Sequence, residues 1–118
     1  MATPNIVNVA TINAKNATGA VTTSRASAVD VSADKVAKIN TILIANIDGT
    51  NAADITIEVS VDNGSNYVKI ASTISVPADA TLSFLENPIY LDETDLLAFT
   101  ASAANDLTYF VSYELLVD

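Results

Sequence analysis

Acidic and amide side chains are concentrated in the stretch LIANIDGTNAADITIEVSVD, which runs from residue 43 to residue 62. A calcium-binding EF-hand loop needs oxygen ligands at alternate positions before a glycine and a glutamate six residues after it. Asn46 and Asp48 alternate in this way, but Gly49 follows at once and the sixth position after it is Ile55. Aspartate and asparagine also bond to their own backbone in tight turns, so we interpret these residues as turn formers.

A second set of acids could bind calcium through carboxylate oxygens, because all its members fall in expected loops: Asp92, Glu93, Asp95 and Asp106. Carboxylates also cluster by chance in the loops of an acidic protein. The chain has no cysteine and no histidine, so thiolate and imidazole ligands are absent from it. The sequence therefore predicts no metal site and no cofactor.

Catalytic groups are scarce as well. Serines are common, but there is no histidine to activate them, and Lys35, Lys38 and Lys69 carry no motif that pairs a lysine with a serine. Paired carboxylates could hydrolyse a glycoside. A chain of 118 residues with 6% aromatic residues leaves little material for a sugar cleft beside its core. We expect that the protein is not an enzyme.

The charge of the chain limits its partners. A formal net charge of -9 repels a phosphate backbone and an anionic lipid surface, so we expect neither nucleic acid nor a membrane as partner. No apolar stretch approaches the 18 residues of a membrane-spanning helix, and the opening MATPNIVNVA lacks the basic region of a signal peptide. The length predicts one domain.

Hydrophobic residues recur with a period of two, which is typical of β-strands. In ITIEVSVD every odd position is apolar, which predicts that four residues face a core: Ile55, Ile57, Val59 and Val61. From residue 38 to residue 47 the apolar residues fall on both faces, which predicts a central strand covered on both sides, either by a second sheet or by a partner chain. In the last strand one face holds Leu107, Tyr109, Val111, Tyr113 and Leu115, and the other holds Phe110 and Leu116.

Turn signals separate these strands every eight to twelve residues. Asp48-Gly49 and Asp62-Asn63-Gly64 each lie between two strand patterns, which predicts two hairpins. No segment keeps the 3.6-residue period of a helix. The sequence therefore predicts an all-β protein, an antiparallel β-sandwich of the jelly-roll or immunoglobulin-like type.

The N-terminal residues 1–34 differ from the sandwich domain expected at 35–118. They are rich in alanine, threonine, serine and asparagine, and two interpretations stay open. They form the first strands of the same sandwich, or an extended arm that pairs with the sheet edge of a neighbour. We expect an interface with another chain at the apolar cluster of Ile6, Val7, Val9 and Ile12.

Three segments carry a resemblance to a known family: ANIDGTNAADITIEV, STISVPADATLSFL and PIYLDETDLLAFTASAANDLTYFVSYELL. They resemble small virion structural proteins of tailed bacteriophages, notably marine and cyanobacterial phages, over about residues 35 to 116. The resemblance follows the order of strands and turns, including the Asn-x-Asp-Gly turn and the closing strand that ends in Ser-Tyr-Glu. It implies a β-sandwich located in the virion, without a cofactor.

Within a virion, the resemblance and the small-residue surface favour a capsid decoration, or cement, protein. Such a protein would be a homo-oligomer and would bind the major capsid protein or other virion proteins. The alternatives are a tail, neck or fibre-base component, or an adhesion or carbohydrate-binding module. An exposed aromatic platform would favour the last of these.

Overall fold

A computed structural model describes residues 10–118, which form nine β-strands and no helix. The strands are β1 (Thr11–Ala20), β2 (Ala26–Asp30), β3 (Lys35–Asn46), β4 (Ala53–Ser60), β5 (Val68–Val76), β6 (Thr81–Ser83), β7 (Ile89–Leu91), β8 (Leu96–Ala101) and β9 (Leu107–Val117). In this part of the chain no helix has the length and apolar character needed to cross a membrane. The all-β prediction is confirmed.

The strands form two antiparallel sheets that pack face to face. Sheet A has the order β1-β9-β3, and the short strands β6 and β7 pair with different parts of the other side of β3. Sheet B has the order β2-β8-β4-β5. Apolar side chains from both sheets form a single core, with Ile39, Ile42 and Val111 from sheet A and Ile55 and Leu97 from sheet B fully buried. The predicted antiparallel sandwich is therefore confirmed.

The strand pairs are nested along the chain. β4 pairs with β5, β3 with β6 and β7, β2 with β8, and β1 with β9. The chain is thus one long hairpin whose tip lies between β4 and β5. Rolling this hairpin brings β9 beside β3 and β8 beside β4, which completes the two sheets. This is the jelly-roll topology, one of the two sandwich types expected.

Residues 10 to 34 supply β1 and β2, which each form one edge of sheets A and B respectively. Val21, Val29 and Val31 from this segment are buried in the core. From Thr11 onward the segment therefore forms the first strands of the sandwich. Ile12 lies on β1 with 60% of its surface exposed, and its contact with another chain stays a prediction. The other three residues of that predicted interface, Ile6, Val7 and Val9, lie outside the described residues.

Strand β3 is central, as predicted, but its apolar residues on both faces have another cause. Its register against β9 shifts between Ile39 and Thr41, so the strand contains a bulge at this point. The bulge changes the alternation, and Ile39 before it and Ile42 and Ile44 after it all enter the same core. Leu43, on the opposite face, is only half-buried. Within the described residues the second sheet covers one face of β3, and cover of its other face by a partner chain stays a prediction.

Strand β4 follows the predicted alternation over most of its length. Ile55 and Ile57 are fully buried, and Val59 is half-buried against the core. Val61 is 71% exposed, so the prediction that it faces the core is wrong. The reason is that the strand ends at Ser60, where the chain turns into the hairpin tip.

The two predicted hairpins have different outcomes. β4 and β5 pair around Asp62-Asn63-Gly64-Ser65, and Asn63 and Gly64 have the positive φ values, 58° and 86°, that a type I′ turn requires. This hairpin is confirmed. The Asp48-Gly49 hairpin is wrong, because β3 and β4 belong to different sheets and the loop crosses the sandwich between them.

A chain that starts at Lys35 should fail to fold. It lacks β1, β2 and three buried valines, each of which contributes roughly 1.5–3 kcal/mol against a typical total stability of about 5–15 kcal/mol. Circular dichroism and thermal melting would measure this loss. A chain that starts at Ala10 is the matched control and should retain a cooperative melt. Near-normal stability of the shorter chain would contradict the role given to these strands.

Candidate functional site

The loop between β3 and β4 uses its acidic and amide groups to hold its own shape. The Asp48 carboxylate accepts hydrogen bonds from the backbone N–H groups of Thr50 at 2.8 Å and Asn51 at 3.3 Å. These bonds, Thr50 first, lower the pKa of Asp48. This geometry supports the interpretation of the acids as turn formers, and it leaves the loop no arrangement typical of a calcium ligand set.

Asn46 connects this loop to sheet B. The residue is only 3% exposed, and its Nδ2 donates to the carbonyl oxygens of Asn51 and Val76, each at 2.9 Å. Its Oδ1 accepts a hydrogen bond from the backbone N–H of Asp48 at 2.8 Å. Since the donors and the carbonyl oxygen of this amide are all engaged, Asn46 stabilises the crossing between the two sheets.

The hairpin tip between β4 and β5 is built in the same way. Asp62 accepts hydrogen bonds from the Ser60 hydroxyl at 2.9 Å and from the backbone and side chain of Asn66 at 2.8 and 2.9 Å. The side chain of Asn66 is the largest cause of a lowered pKa for Asp62. Ser60 is fully buried and accepts a hydrogen bond from the N–H of Gly64. The polar groups here stabilise the turn.

The four loop acids considered for calcium do not come together. Asp92, Glu93 and Asp95 lie in the turn before β8, whereas Asp106 lies after β8, where its carbonyl accepts a hydrogen bond from Ile47. The length of β8 separates the two loops. Among residues 10–118 no three acidic side chains are close enough to hold a metal ion.

The turn between β7 and β8 contains two buried acids. Glu93 Oε2 accepts a hydrogen bond from the backbone N–H of Asp34 at 2.8 Å, which ties the turn to the loop between β2 and β3. Asp95 Oδ2 accepts a hydrogen bond from the N–H of Asp92 at 2.8 Å. Burial raises the pKa of Asp95, because the charged carboxylate loses hydration there.

A depression of about 150 Å³ on the outer face of sheet B is lined by Asp54, Thr56, Thr73, Thr100, Ala101 and Ser102. Two of its hydroxyls accept hydrogen bonds from neighbouring backbone: Thr56 from the N–H of Thr73 at 3.1 Å and Ser102 from the N–H of Asp54 at 2.8 Å. The depression contains one carboxylate and no basic side chain. It can offer hydrogen bonds to a small polar molecule, and the carboxylate of Asp54 is the one titratable group among its lining residues.

A cluster of Arg25, Glu58 and Tyr67 lies on the outer side of sheet B. The Arg25 guanidinium is 3.5 Å from the Glu58 carboxylate, and its carbon lies 3.7 Å from the centroid of the Tyr67 ring. Glu58 is therefore buried although it occupies an outward position of β4. Sequence analysis missed this cluster. The one available signal was that an acidic chain contains a single arginine.

The aromatic residues do not form an exposed platform in the described part of the chain. Arg25 covers the Tyr67 ring, and Tyr109 and Tyr113 pack against the core. Tyr90 and Phe110 are exposed on sheet A, but they pair with positions of β3 that are five residues apart, or roughly 15 Å. The feature that would favour a carbohydrate-binding module is therefore not observed there.

Comparisons with known proteins find structures of similar fold, and they do not identify an activity. No protein-family model matches the sequence. No curated protein matches it either. The fold is similar to a subunit structure of Bacillus endospore appendages, described as a family of disulfide-linked pili. The TM-score is 0.54 at 16% identity, over 91% of this chain and 87% of that one. This chain has no cysteine and cannot form such disulfide links.

A second solved structure with a likeness to the chain is a pentameric capsid protein isolated from metagenomic phage sequences. The TM-score is 0.40 at 15% identity, and the match covers 86% of this chain and 60% of the capsid protein. At this TM-score the likeness supports no inference about function. The likeness to the appendage subunit concerns the fold alone.

Removal of divalent cations should not change stability. A bound ion would add its binding free energy to folding, and the described acids are either engaged in their own turns or too far apart. Thermal melts with and without excess chelator should give the same midpoint. A fall of several degrees in chelator would contradict this expectation.

Replacement of Asp95 by asparagine should stabilise the protein at neutral pH. The amide oxygen can still accept the hydrogen bond from Asp92, while the desolvated charge is removed. The folded-state pKa of Asp95 lies above its ordinary value of 3.8. The charged carboxylate therefore lowers the stability of the folded protein at pH values above the folded-state pKa, and this loss of stability disappears as the pH falls towards 3.8.

We therefore expect Asp95→Asn to raise the melting temperature by a few degrees at pH 7 and by less near pH 4. Asp30→Asn, at an exposed position of β2, removes the same charge and controls for the general relief of repulsion. An equal gain in melting temperature for both variants, or a gain that grows towards pH 4, would contradict the claim that the buried charge of Asp95 destabilises the protein.

Proposed function

We propose that the protein is a structural component of a tailed-bacteriophage virion, and specifically a capsid decoration protein that stabilises the shell by binding the major capsid protein. The sequence resemblance of residues 35 to 116 to small phage virion proteins motivates this proposal. The jelly-roll fold is compatible with it but is shared by capsid and lectin domains, so the fold alone does not decide between functions.

The observation that carries the proposal is an uncharged patch on the outer face of sheet A. The register of β1, β9 and β3 aligns three successive rows of outward side chains: Asn16, Ser112 and Thr41; Thr18, Phe110 and Leu43; Ala20, Thr108 and Ala45. None of these nine side chains is charged, in a chain with a net charge of -9. Small uncharged side chains allow close approach of another protein, and Phe110, which is 38% exposed, can add apolar contact.

The proposed role is non-catalytic. The polar groups that could carry chemistry are engaged in turns, as at Asp48 and Asp62, and the hydroxyl-lined depression on sheet B lacks a basic side chain. A protein that acts through its surfaces needs neither a cofactor nor a cleft. A tail, neck or fibre-base protein would also act through its surfaces alone, so the location in the particle has to be measured.

Electron microscopy of phage particles labelled on this chain would test the location. We expect many labels distributed regularly over the head. Labels confined to the tail, the neck or the fibre base would overturn the decoration role and favour the alternative within the virion. Particles without label would overturn the virion role altogether.

Binding of purified protein to capsids that lack it would test the surface. Thr41→Glu places a charge in the first of the uncharged rows and should weaken capsid binding by about tenfold or more. Ser27→Glu adds the same charge at an exposed position of β2 in sheet B and should bind like the unmodified protein. Equal binding by all three proteins would exclude this face as the contact surface.

A further inference from the structure

The tip of the β4–β5 hairpin contains the one asparagine–glycine pair of the chain, Asn63-Gly64. In such a pair the backbone nitrogen of the glycine can attack the side-chain amide carbon of the asparagine, because glycine has no side chain to hinder the approach. Asn63 is exposed, and in the described part of the chain its side-chain amide makes no hydrogen bond that would hold it in place. Asn63 is therefore a candidate site for deamidation.

Deamidation at this pair proceeds through a cyclic imide. The Gly64 nitrogen loses its proton to a base in the solvent and forms a bond to the side-chain carbon of Asn63, from which ammonia leaves. Water then opens the imide. Opening at the side-chain carbonyl gives aspartate, whereas opening at the backbone carbonyl gives isoaspartate, in which the main chain runs through the former side chain. The reaction consumes a water molecule and releases an ammonia molecule.

The Gly64 nitrogen is not free to attack in this structure. Its N–H donates a hydrogen bond of 2.8 Å to the hydroxyl oxygen of Ser60. Ser60 is fully buried, and its own hydroxyl proton is donated to the Asp62 carboxylate at 2.9 Å, so the hydroxyl oxygen presents its lone pairs to the glycine. To react, the nitrogen has to lose both its proton and this hydrogen bond.

The charge and the backbone of the tip oppose the reaction further. The pKa of Asp62 is lowered, chiefly by the hydrogen bond from the Asn66 side chain, so this carboxylate is charged at neutral pH. A negative charge one hydroxyl group away from the nitrogen disfavours the amide anion that attacks. Gly64 is also confined, because it has a φ of 86° and the Leu96 side chain lies 3.3 Å from where a Cβ atom would be.

We propose that Asn63 is the principal deamidation site of this chain and that the buried Ser60 hydroxyl protects it by holding the Gly64 N–H. The protection preserves the tip, because isoaspartate adds a carbon atom to the main chain of a tight type I′ turn. The geometry of the turn in turn fixes the register of β4 against β5. The proposal concerns the lifetime of the folded chain and does not depend on a place in a virion.

Ser60→Ala tests the protection directly. The variant lacks the acceptor of the Gly64 N–H, and the net free energy of a typical hydrogen bond corresponds to a factor of about two to ten. We therefore expect Asn63 to lose ammonia about twofold to tenfold faster in the folded variant than in the unmodified protein. Mass spectrometry of peptides, after incubation at constant pH and temperature, measures the rate and locates the change in the chain.

Asn66→Ala is the matched control. It removes a hydrogen bond of 2.9 Å to Asp62 from the same tip but leaves the bond between Gly64 and Ser60 in place. Its rate of deamidation should stay within about twofold of that of the unmodified protein. Circular dichroism would check that both variants are folded. Equal acceleration in both would overturn the role of Ser60. Slower deamidation of Ser60→Ala would overturn it as well, since Ser60 and Asp62 would then act as a base towards Gly64.

The unmodified protein provides a test that needs no variant. In denaturant the Gly64 N–H is open to solvent, so Asn63 should deamidate about tenfold faster or more than in the folded protein at the same pH. Equal rates would overturn the protection. Faster deamidation of any other asparagine in denaturant would overturn the choice of Asn63. These measurements use purified protein without phage particles, so they can fail while the proposed virion role stands, and the reverse also holds.

Discussion

The bulge in β3 brings the two halves of the central strand into phase with one core. In a regular strand Ile39 and Ile42 would point to opposite faces, and one of them would leave the core. With one extra residue in the strand, both are fully buried. The bulge also lies between the segments that pair with β7 and with β6, which explains why this edge of sheet A consists of two short strands. The packing of the two sheets depends on this bulge, because side chains of β3 fill the space between the sheets.

Local features of this fold could be predicted from the sequence, and non-local features could not. Alternation is a property of neighbouring residues. It therefore correctly predicted that Ile55 and Ile57 face the core and which residues share each face of β9. Turn chemistry located the tip at Asp62, but at Asp48 it could not show that the flanking strands belong to different sheets. Alternation also cannot distinguish a bulge from a strand that is covered on both faces. The contact of Arg25 with Glu58 reaches across β8, which lies between β2 and β4 only in the folded sheet.

The polar residues of this protein act chiefly on its own backbone. Asn46, Asp48 and Asp62 hold loops that connect or terminate strands, and these were the residues whose types first suggested chemistry. What remains available to other molecules is surface. The uncharged rows belong to sheet A, whereas the exposed Val68, Ile70 and Ile74 of β5 belong to sheet B.

The nested pairing has a kinetic consequence. The tip at residues 62 to 65 closes the shortest loop, and each further pair encloses a longer one until Thr11 pairs with Val117. The entropy of loop closure increases with the length enclosed, so the tip hairpin should order first and the two terminal strands last. Mean sequence separation between contacting residues is high in such a topology. Folding should therefore take roughly milliseconds to seconds, as in other proteins dominated by non-local pairing. Until β8 and β9 dock, the edges of β4 and β3 that they cover are open to strands from other molecules.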